Sequence, residues 1–567
     1  MNTHFDPTLR IHIIFSILFL FALILSVRLF FLQIIHGEAY SNKADNQYIT
    51  ENSSIFNRGS IFFSDGHSAA TIHSGYLVAI NPKKLDDKLE TYEKLSEIIK
   101  LDKKEFMEKA AKSDDPYEEI AHKITNIERK KITDLKLNGV STYKESWRYY
   151  PGMNTASHVL GFVGFKGDKL SGIYGIERYY DDVLQRNDDG MKVNFFAEIF
   201  SNITDSILES ENSREGDVVL TIDSNVEVAM EKTLSSIKEK WSSKMVGGII
   251  MDPKTGKIYA MSVLPDFNPN EFQNEDPKLF LNPIVENVYE MGSIIKPLTI
   301  AAALDDGVIN KNTTYNDKGY VILNGSRIEN YDGKARGVVP IQEILNQSLN
   351  TGAVFAMQRL GKKKFREYMF SYGIEEETGI DLPGEVRGIT DNLYSKRDIE
   401  YATASFGQGI AMTPISTARA LSVLANGGLL ITPYVVDRID YRLLRSKKTY
   451  PDEGVRVLNK NTSEEITRML VKVVDEALLG GTVAMPRYSI AAKTGTAQIA
   501  NTESGGYYKN KYLHSFFGYF PAYDPKFLIF LYNVEPVGAR YASATLTKPF
   551  MDIVKYLINY YEVPPDR

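Results

Sequence analysis

Val246-Gly-Gly-Ile-Ile-Met251 and Ile258-Tyr-Ala-Met-Ser262 lie on either side of the turn Pro253-Lys-Thr-Gly256. Each flank is a short apolar run bounded by turn-forming residues, which is typical of a β-strand. Glycine and proline in the connection favour a tight turn. The segment therefore predicts a β-hairpin at the start of a sheet.

Three more strands are predicted near the end of the chain, at residues 488–498, 516–520 and 527–534, before a helix from about 546 to 561. The sequence between the two groups of strands has mostly helical patterns. A sheet assembled from both ends of a domain, with helices between, is an α+β arrangement. We therefore expect an antiparallel sheet flanked by helices, with a mostly helical subdomain.

Length and composition limit the possible functions. At 567 residues the chain is long enough for two or three domains. Its formal net charge of −6 offers no basic surplus to offset phosphates, which argues against a nucleic-acid partner. The chain has no cysteine, which excludes disulfides, thiolate metal sites and cysteine nucleophiles. We expect neither a cofactor nor a metal site.

A membrane anchor is predicted near the start of the chain. Residues 11–35 form an apolar run, and about 20 apolar residues suffice to span a bilayer. No small-residue cleavage site follows, so the run is interpreted as an uncleaved, single-pass signal anchor. Arg10 indicates that residues 1–10 are cytoplasmic. No second apolar segment of this length follows, so the chain after residue 36 is expected to be extracytoplasmic. The alternative is a buried helix of a soluble protein.

The region after the anchor changes pattern along its length. Residues 55–82 and 159–200 are strand-like, whereas residues 83–137 alternate Lys and Glu with apolar residues at helical spacing. A polar stretch at 204–217 predicts a linker. The expected domains are a cytoplasmic N-terminus at 1–10, an anchor at 11–35, a mixed α/β domain at 36–215 and a catalytic domain at 216–567.

Ser293 and Lys296 lie three residues apart in Tyr289-Glu-Met-Gly-Ser-Ile-Ile-Lys-Pro297. Because Pro297 has no N–H and would clash inside a helix, the helix is expected to start within about one turn before it. Residues three apart share a helix face, so the lysine amine can reach the serine hydroxyl. The pair predicts a serine nucleophile near a helix N-terminus, with lysine as its base.

The same short patterns recur elsewhere in the chain. Ser235-Ser-Ile-Lys238 also has the form Ser-x-x-Lys, and Lys254-Thr-Gly256 repeats the form of Lys493-Thr-Gly495. Ser235 falls on a highly charged helical segment that is expected to be exposed, and Lys254 falls in the hairpin turn. Their context therefore favours Ser293 and Lys493 as the functional copies.

Histidine, the usual base for a serine nucleophile, is scarce in the predicted catalytic domain. Seven of the eight histidines precede residue 160, which leaves only His514, and we interpret His514 as structural. A Ser-His-Asp triad is thus poorly supported. A lysine can act as the base if its pKa falls from ~10.4 toward 7, which burial and a nearby cation favour. Lys493 is the candidate for that cation.

The segment around Lys493 has small residues where a strand would normally have bulky ones. Gly495 permits close approach of another backbone. A peptide substrate could add along this strand, with the Thr494 and Thr496 hydroxyls binding a carboxylate. The backbone N–H groups of Thr496 and Ser293 are the candidate oxyanion donors.

Ser348-Leu-Asn350 lies 55 residues after Ser293 and 145 residues before Lys493. Ser-x-Asn alone is a common tripeptide. In this order, however, the three patterns resemble those of class B penicillin-binding proteins, which are peptidoglycan D,D-transpeptidases. Five further segments extend the resemblance over nearly the whole chain: Arg58-Gly-Ser-Ile61, Arg148-Tyr-Tyr-Pro151, Gly175-Ile-Glu177, Phe406-Gly-Gln-Gly409 and Thr413-Pro414. One departure is Ile61-Phe-Phe-Ser-Asp-Gly66, where the family usually has a polar Asp-Arg before the turn.

The resemblance implies a penicillin-binding/β-lactamase-like transpeptidase domain preceded by an elongated pedestal domain. It implies that Ser293 attacks the carbonyl between the two terminal D-alanines of a peptidoglycan stem peptide, with Lys296 as base. Ser348 would relay a proton to the leaving amine, and Asn350 would hold the donor amide. β-Lactams would acylate the same serine. The implied partners are a polytopic membrane glycosyltransferase and proteins of the division complex.

Within the class, Arg28-Leu-Phe-Phe-Leu-Gln33 and residues 511–520 look closer to the septal members than to the elongation members. An elongation-type transpeptidase is the alternative inside the class. A β-lactamase would use the same three motifs for hydrolysis, but it does not need about 200 residues between membrane and catalytic domain. A non-catalytic penicillin-binding scaffold or sensor is the third alternative.

Overall fold

A computed structural model describes residues 15–16, 18–21, 23–25, 28, 57–112, 115–167, 169–186, 215–441, 445–501 and 505–567. Within these ranges no helix has the length and apolarity that a membrane span requires. The predicted anchor at 11–35 and the predicted linker at 204–217 fall largely outside the described residues. Both therefore stay predictions.

The described chain divides into two compact units. The smaller unit includes residues 73–147, and the larger unit includes residues 58–72, 148–186 and the described residues from 215 onward. The domain boundaries predicted from the sequence, 36–215 and 216–567, remain predictions.

The smaller unit packs three helices against three strands. Its strands include the end of Ser68–Ile80, paired with Glu118–Ile124. The helices begin after the N-cap residues Asp87, Asp102 and Thr125, whose side chains accept hydrogen bonds from backbone N–H groups of the first turn. The three helices are Lys88–Ser96, Lys103–Ala110 and Asn126–Asp134. The third strand is Val140–Tyr149. The helical pattern predicted for 83–137 is thus interrupted by one strand.

The larger unit is organised around a five-stranded antiparallel sheet. Its strands in chain order are β1 (Met245–Met251), β2 (Ile258–Leu264), β3 (Ala491–Ala500), β4 (Tyr507–Phe520) and β5 (Phe527–Val534). Their order across the sheet is β3-β4-β5-β1-β2. The structure therefore confirms an antiparallel sheet that joins an early hairpin to three late strands.

Both faces of this sheet are covered because its central strands are apolar on both sides. Successive residues of a strand point to opposite faces, so Phe516 and Phe517 of β4 enter different core clusters. Phe516 packs with the helices Ser224–Trp241 and Ala542–Tyr560, whereas Phe517 lies in the cluster of the helix Lys296–Asp305. The sheet is therefore the middle layer between two layers of helix.

Helices contribute more residues than strands between β2 and β3, as predicted, although they cover less than half of that segment. Its α-helices are Pro283–Glu286, Lys296–Asp305, Gln342–Asn346, Asn350–Leu360, Lys362–Ser371, Asp398–Ala404, Pro414–Ser422 and Lys460–Lys472. The short helices of the earlier part of this unit are Ser157–Leu160, Gly175–Tyr179 and Asp181–Leu184.

Several small strand pairs complete the larger unit. The antiparallel pairs are Val163–Lys166 with Lys169–Gly172, Thr314–Asp317 with Gly337–Pro340, Tyr320–Leu323 with Ser326–Glu329, and Leu429–Leu430 with Val455–Arg456. Another sheet runs through Arg445–Lys448, Val436–Tyr441, Gly216–Leu220 and Ile61–Phe62, in that order.

Glu177 holds two arginines together in the interior of the larger unit. Its carboxylate accepts hydrogen bonds from Arg58 Nε and from Arg148 Nε, both at 2.6 Å, and from the Tyr150 hydroxyl at 3.1 Å. Glu177 is fully buried. Burial alone would raise its pKa, but the charges of Arg148 and Arg58 outweigh burial and hold the pKa of Glu177 below its usual value. The segments noted in the sequence at 58, 148 and 177 thus meet in one buried ion network.

Replacing Glu177 by glutamine is expected to destabilise the protein by about 3 to 5 kcal/mol, because it leaves two buried guanidinium groups without their shared anion. Thermal and urea denaturation of the purified protein measure the change. A carboxylate with a lowered pKa contributes stability above its unfolded pKa and loses it as the pH falls, so the difference should shrink in acid. The matched control is Asp552→Asn in the exposed pair with Lys548, where about 0 to 1 kcal/mol is expected. Equal stability of Glu177→Gln and wild type would contradict the prediction.

Candidate active site

Ser293 lies in a 3₁₀ turn, Gly292–Ile295, that leads directly into the α-helix Lys296–Asp305. Pro297 occupies the first turn of that helix, where its missing N–H costs no intrahelical hydrogen bond. The predicted position of Ser293 at a helix start is therefore confirmed. Ser293 is partly exposed between buried neighbours, which leaves its hydroxyl accessible from one side.

The Ser293 turn is held between two backbones that approach it closely. Gly292 has φ +66° and its N–H donates to the Gly407 carbonyl at 3.0 Å. A Cβ on Gly407 would lie 2.2 Å from the Gly292 carbonyl oxygen, and Gly407 itself has φ +79°. Glycine is required at both positions, because a side chain would collide and the left-handed backbone would be strained. The loop of Phe406-Gly-Gln-Gly409 thus supports the turn from one side.

The Lys296 side chain is fully buried beneath this turn. Its Nζ donates to the Ser348 carbonyl at 2.6 Å, to Asn350 Oδ1 at 2.8 Å and to Ser348 Oγ at 3.2 Å. The sequence places this amine within reach of the Ser293 hydroxyl, but among the described residues the two groups form no hydrogen bond. Burial, and then the nearby charge of Lys493, hold the pKa of Lys296 well below that of an ordinary lysine.

Ser348 and Asn350 are positioned by the start of another helix. Asn350 begins the helix Asn350–Leu360, and its Nδ2 donates to the Glu329 carbonyl at 2.8 Å, which turns Oδ1 toward Lys296. Ser348 has φ +54°, a left-handed conformation that costs a serine about 1 kcal/mol or more. This conformation lets both its carbonyl and its hydroxyl face the same amine. The structure thus brings Ser348 and Asn350 to Lys296, which the tripeptide alone could not show.

Lys493 extends from β3 and is almost completely buried. Its Nζ donates to the Thr494 carbonyl at 3.1 Å, and burial lowers its pKa to about 7. Thr494 and Thr496 follow Lys493 on the same strand, one and three residues later. The Thr496 hydroxyl oxygen accepts a hydrogen bond from the Ala542 N–H at 3.0 Å, which ties β3 to the start of the last helix.

These side chains border one cleft with a volume of about 520 Å³. Of the predicted residues, the cleft is lined by Ser293, Ser348, Asn350, Lys493, Thr494 and Thr496. The remaining two lie behind its wall, because Lys296 is buried and Gly495 faces the Ser293 turn. The cleft also has lining residues that were not predicted from the sequence, among them Tyr331, Gln408, Leu479, Gln498, Arg540 and Tyr541. None of these belongs to a short motif with a chemical signature except Gln408, in the Phe406-Gly-Gln-Gly409 segment.

Gly495 lets β3 lie directly against the Ser293 turn. A Cβ at this position would lie 2.8 Å from the Met291 carbonyl oxygen and 2.3 Å from Ser515 Oγ, which itself donates to that carbonyl at 2.7 Å. The sequence correctly associated this glycine with a close backbone approach. What approaches it is the segment that carries Ser293.

Gly495→Ala is therefore expected to push β3 away from the Ser293 turn and to slow acylation by a labelled penicillin at least ~10-fold, with a loss of about 1 to 3 kcal/mol in stability. Stopped-flow or quenched labelling measures the rate. Gly505→Ala is the matched control, because a Cβ there meets no atom within 4 Å, although its φ of +76° costs some stability. Normal acylation by Gly495→Ala would show that the close approach has no role in the reaction.

The motif copies and the histidine that the sequence analysis set aside lie away from this cleft. Ser235 Oγ donates to Glu239 on its own helix at 3.3 Å, and Lys254 pairs with Asp524. His514 is buried with its Nδ1 2.8 Å from Thr545 Oγ1, and burial lowers its pKa to about 4. None of the three lines the cleft, which agrees with their interpretation from the sequence.

Two models of known protein families match this chain, one in its earlier part and one in its later part. The family model described as "Penicillin binding protein transpeptidase domain" matches residues 246–555. The model described as "Penicillin-binding Protein dimerisation domain" matches residues 55–220. The first match covers more than half of the chain and contains every predicted site residue.

Curated relatives match along nearly the full chain. "Stage V sporulation protein D" of Bacillus subtilis is 32% identical over 96% of this chain and 85% of its own length. "Peptidoglycan D,D-transpeptidase FtsI" of Buchnera aphidicola is 28% identical over 97% of this chain and 95% of its own length. Both are similar to this chain in the catalytic region and in the region before it.

Solved structures share the fold at lower identity. Penicillin Binding Protein 2X of Streptococcus thermophilus has a TM-score of 0.72 at 19% identity, covering 90% of this chain and 81% of that one. Penicillin binding protein 3 of Mycobacterium tuberculosis, solved in complex with aztreonam, has a TM-score of 0.68 at 20% identity, covering 90% of this chain and 98% of that one. The fold predicted from the sequence is therefore correct.

Proposed function

The chain belongs to the penicillin-binding protein transpeptidases, and on that premise we propose that it cross-links peptidoglycan stem peptides through an acyl-enzyme on Ser293. One observation carries the proposal. Lys296 is fully buried, its pKa is strongly lowered, and its amine donates hydrogen bonds to Ser348 and Asn350 beside Ser293, which lines the cleft. Burial prepares the amine to accept a proton near neutral pH.

In the first half-reaction, the neutral Lys296 amine accepts the proton of the Ser293 hydroxyl. Ser293 Oγ forms a bond to the carbonyl carbon of the penultimate D-alanine, and the backbone N–H groups of Ser293 and Thr496 stabilise the developing oxyanion. The amide bond to the terminal D-alanine then breaks. Ser348 passes a proton to the leaving amine, which departs as free D-alanine and leaves an ester on Ser293.

The second half-reaction transfers the acyl group to a neighbouring stem peptide. The side-chain amine of that acceptor attacks the ester carbon, a new amide bond forms and the bond to Ser293 Oγ breaks. The proton lost by the amine returns to the serine through Lys296 and Ser348. Thr494 and Thr496, on the side of β3 that borders the cleft, bind the donor peptide along the strand, and Asn350 holds its amide.

β-Lactams are proposed to acylate the same serine, because their strained amide offers an acyl group to Ser293 in the position of the D-alanyl-D-alanine bond. A related structure, penicillin binding protein 3 of Mycobacterium tuberculosis, was solved with aztreonam. The long-lived ester that a β-lactam leaves would distinguish this chain from a β-lactamase, which would hydrolyse it rapidly.

The cellular setting is part of the proposal. Residues 11–35 anchor the chain with residues 1–10 in the cytoplasm and the catalytic unit outside, where it acts with a polytopic membrane glycosyltransferase. We place it in septal rather than elongation synthesis, together with division-complex proteins, because of the similarity at 28–33 and 511–520 and because a sporulation protein and an FtsI protein are among its relatives. Depletion should give filaments, whereas rounded cells would indicate the elongation role.

The reaction itself is tested with the full-length protein, a synthetic donor pentapeptide and an amine acceptor. Mass spectrometry should detect released D-alanine, an acyl-enzyme mass on the peptide that contains Ser293, and the cross-linked product. Incubation with penicillin should give a stable adduct on the same residue. Rapid turnover of penicillin without a stable adduct would favour a β-lactamase, and penicillin binding without any D-alanine release would favour a non-catalytic sensor.

A further inference from the structure

The cleft has an unequal distribution of charge. Its described lining contains two cationic side chains, Lys493 and Arg540, and no aspartate or glutamate. The chain as a whole carries an excess of acidic residues, with a net charge of −6. A cation-lined cleft on an acidic protein favours an anionic ligand.

Arg540 lies on the loop between β5 and the last helix, Ala542–Tyr560, and is exposed to the cleft. The loop is held in place two residues later, where the Ala542 N–H donates to the Thr496 hydroxyl. The backbone that carries Arg540 is therefore held close to β3, the strand along which the donor peptide is proposed to bind.

The Arg540 guanidinium has no carboxylate partner among the described residues. The guanidinium instead lies over the ring of Tyr541, with 5.4 Å between the guanidinium carbon and the ring centroid. Other arginines of the larger unit are paired, for example Arg336 with Asp332 at 2.8 Å and Arg567 with Asp475 at 2.5 Å. An unpaired guanidinium beside a cleft offers a two-pronged donor that matches a carboxylate.

The two cations of the cleft also differ in how reliably they are charged. Burial lowers the pKa of Lys493 to about 7, so near neutral pH a large fraction of this amine is uncharged. An arginine stays protonated under all such conditions. Arg540 is therefore the permanent positive charge of the cleft.

We propose that Arg540 pairs with a carboxylate of the donor stem peptide and makes that carboxylate a requirement for efficient acylation. The proposal rests on the transpeptidase function and names a specificity-determining residue for it. A stem peptide offers this chemistry from two sources, the C-terminal carboxylate and the side-chain carboxylate of a dicarboxylic third residue. The experiment separates them.

The test measures kcat/KM for release of the terminal residue from donor pentapeptides by the full-length protein. One pair of peptides differs in a free or amidated C-terminus, and a second pair differs in a free or amidated side-chain carboxylate on the third residue. Wild type should prefer the free acid of one pair, and Arg540→Gln should reduce that preference by ~10- to 100-fold, the usual value of a charge-assisted hydrogen bond. The peptide pair for which Arg540→Gln loses the preference for the free acid identifies the carboxylate that Arg540 binds.

Arg387→Gln is the matched control, because Arg387 is an exposed arginine outside the cleft, 3.6 Å from Glu377, and its replacement should leave both preferences unchanged. If Arg540→Gln keeps both preferences at wild-type values, or slows all four peptides equally, the inference is wrong while the proposed function stands. If wild type neither releases a terminal residue nor takes up penicillin, the proposed function fails first.

Discussion

Ser293→Ala is expected to abolish covalent labelling by penicillin and to lower D-alanine release by at least ~10⁴-fold, because removal of a nucleophile eliminates the acyl-enzyme. Ser293 is partly exposed at the start of a buried helix, and its Oγ makes no hydrogen bond that stabilises the core among the described residues. Its loss should therefore leave thermal stability within about 1 kcal/mol of wild type. Intact-protein mass after penicillin treatment measures the adduct directly.

Ser235→Ala provides the matched control for this experiment. Ser235 stands in another Ser-x-x-Lys pattern, but its hydroxyl donates to Glu239 outside the cleft, so its replacement should leave the adduct and the rate unchanged. Retention of a stable adduct by Ser293→Ala would mean that another nucleophile carries the reaction. Full cross-linking in cells that contain only Ser293→Ala would show that the protein acts as a scaffold.

Lys296→Arg is expected to slow acylation by ~10²- to 10⁴-fold, the range for loss of a general base. Arginine keeps a positive charge but stays protonated near neutral pH, so it cannot take the Ser293 proton. Lys296→Met accompanies it, because methionine fills a similar volume and places no charge in the buried site. Both variants should bind penicillin covalently only slowly, as measured by labelling time courses.

The pH dependence of the acylation rate tests whether Lys296 is the base, because the rate follows the fraction of its amine that is neutral. The pKa of Lys296 is lowered, so its neutral form persists to lower pH than that of an ordinary lysine. The wild-type rate should rise with pH through this lowered pKa and reach its plateau far below pH 10. Lys296→Met should lose this rise while melting at or above the wild-type temperature, because a buried amine is costly to desolvate. A normal rate in either variant would assign the base to another group.

Local sequence was sufficient for the elements with strong local signals. Apolar runs around a turn predicted β1 and β2, and Pro297 predicted the helix start that places Ser293. In each case the determining interaction is within a few residues along the chain, which is why the pattern carries it.

Other features depend on contacts between distant residues. The Lys296 amine donates hydrogen bonds to Ser348 and Asn350, which lie more than 50 residues away along the chain. Glu177 collects Arg58 and Arg148 from separate segments, and only their meeting keeps three charges stable in the interior. No periodicity or short motif in the sequence predicts these contacts.

The sequence by itself determined the class of fold, the nucleophile candidate and the lysine beside it, because helix starts, strands and turns follow from nearby residues. Only the tertiary structure decided which side chains share the cleft and how their charges interact. It buried Lys296, brought Lys493 close enough to lower its pKa and left Arg540 without a carboxylate partner among the described residues. Desolvation and Coulomb interactions depend on distance in space, and folding sets that distance.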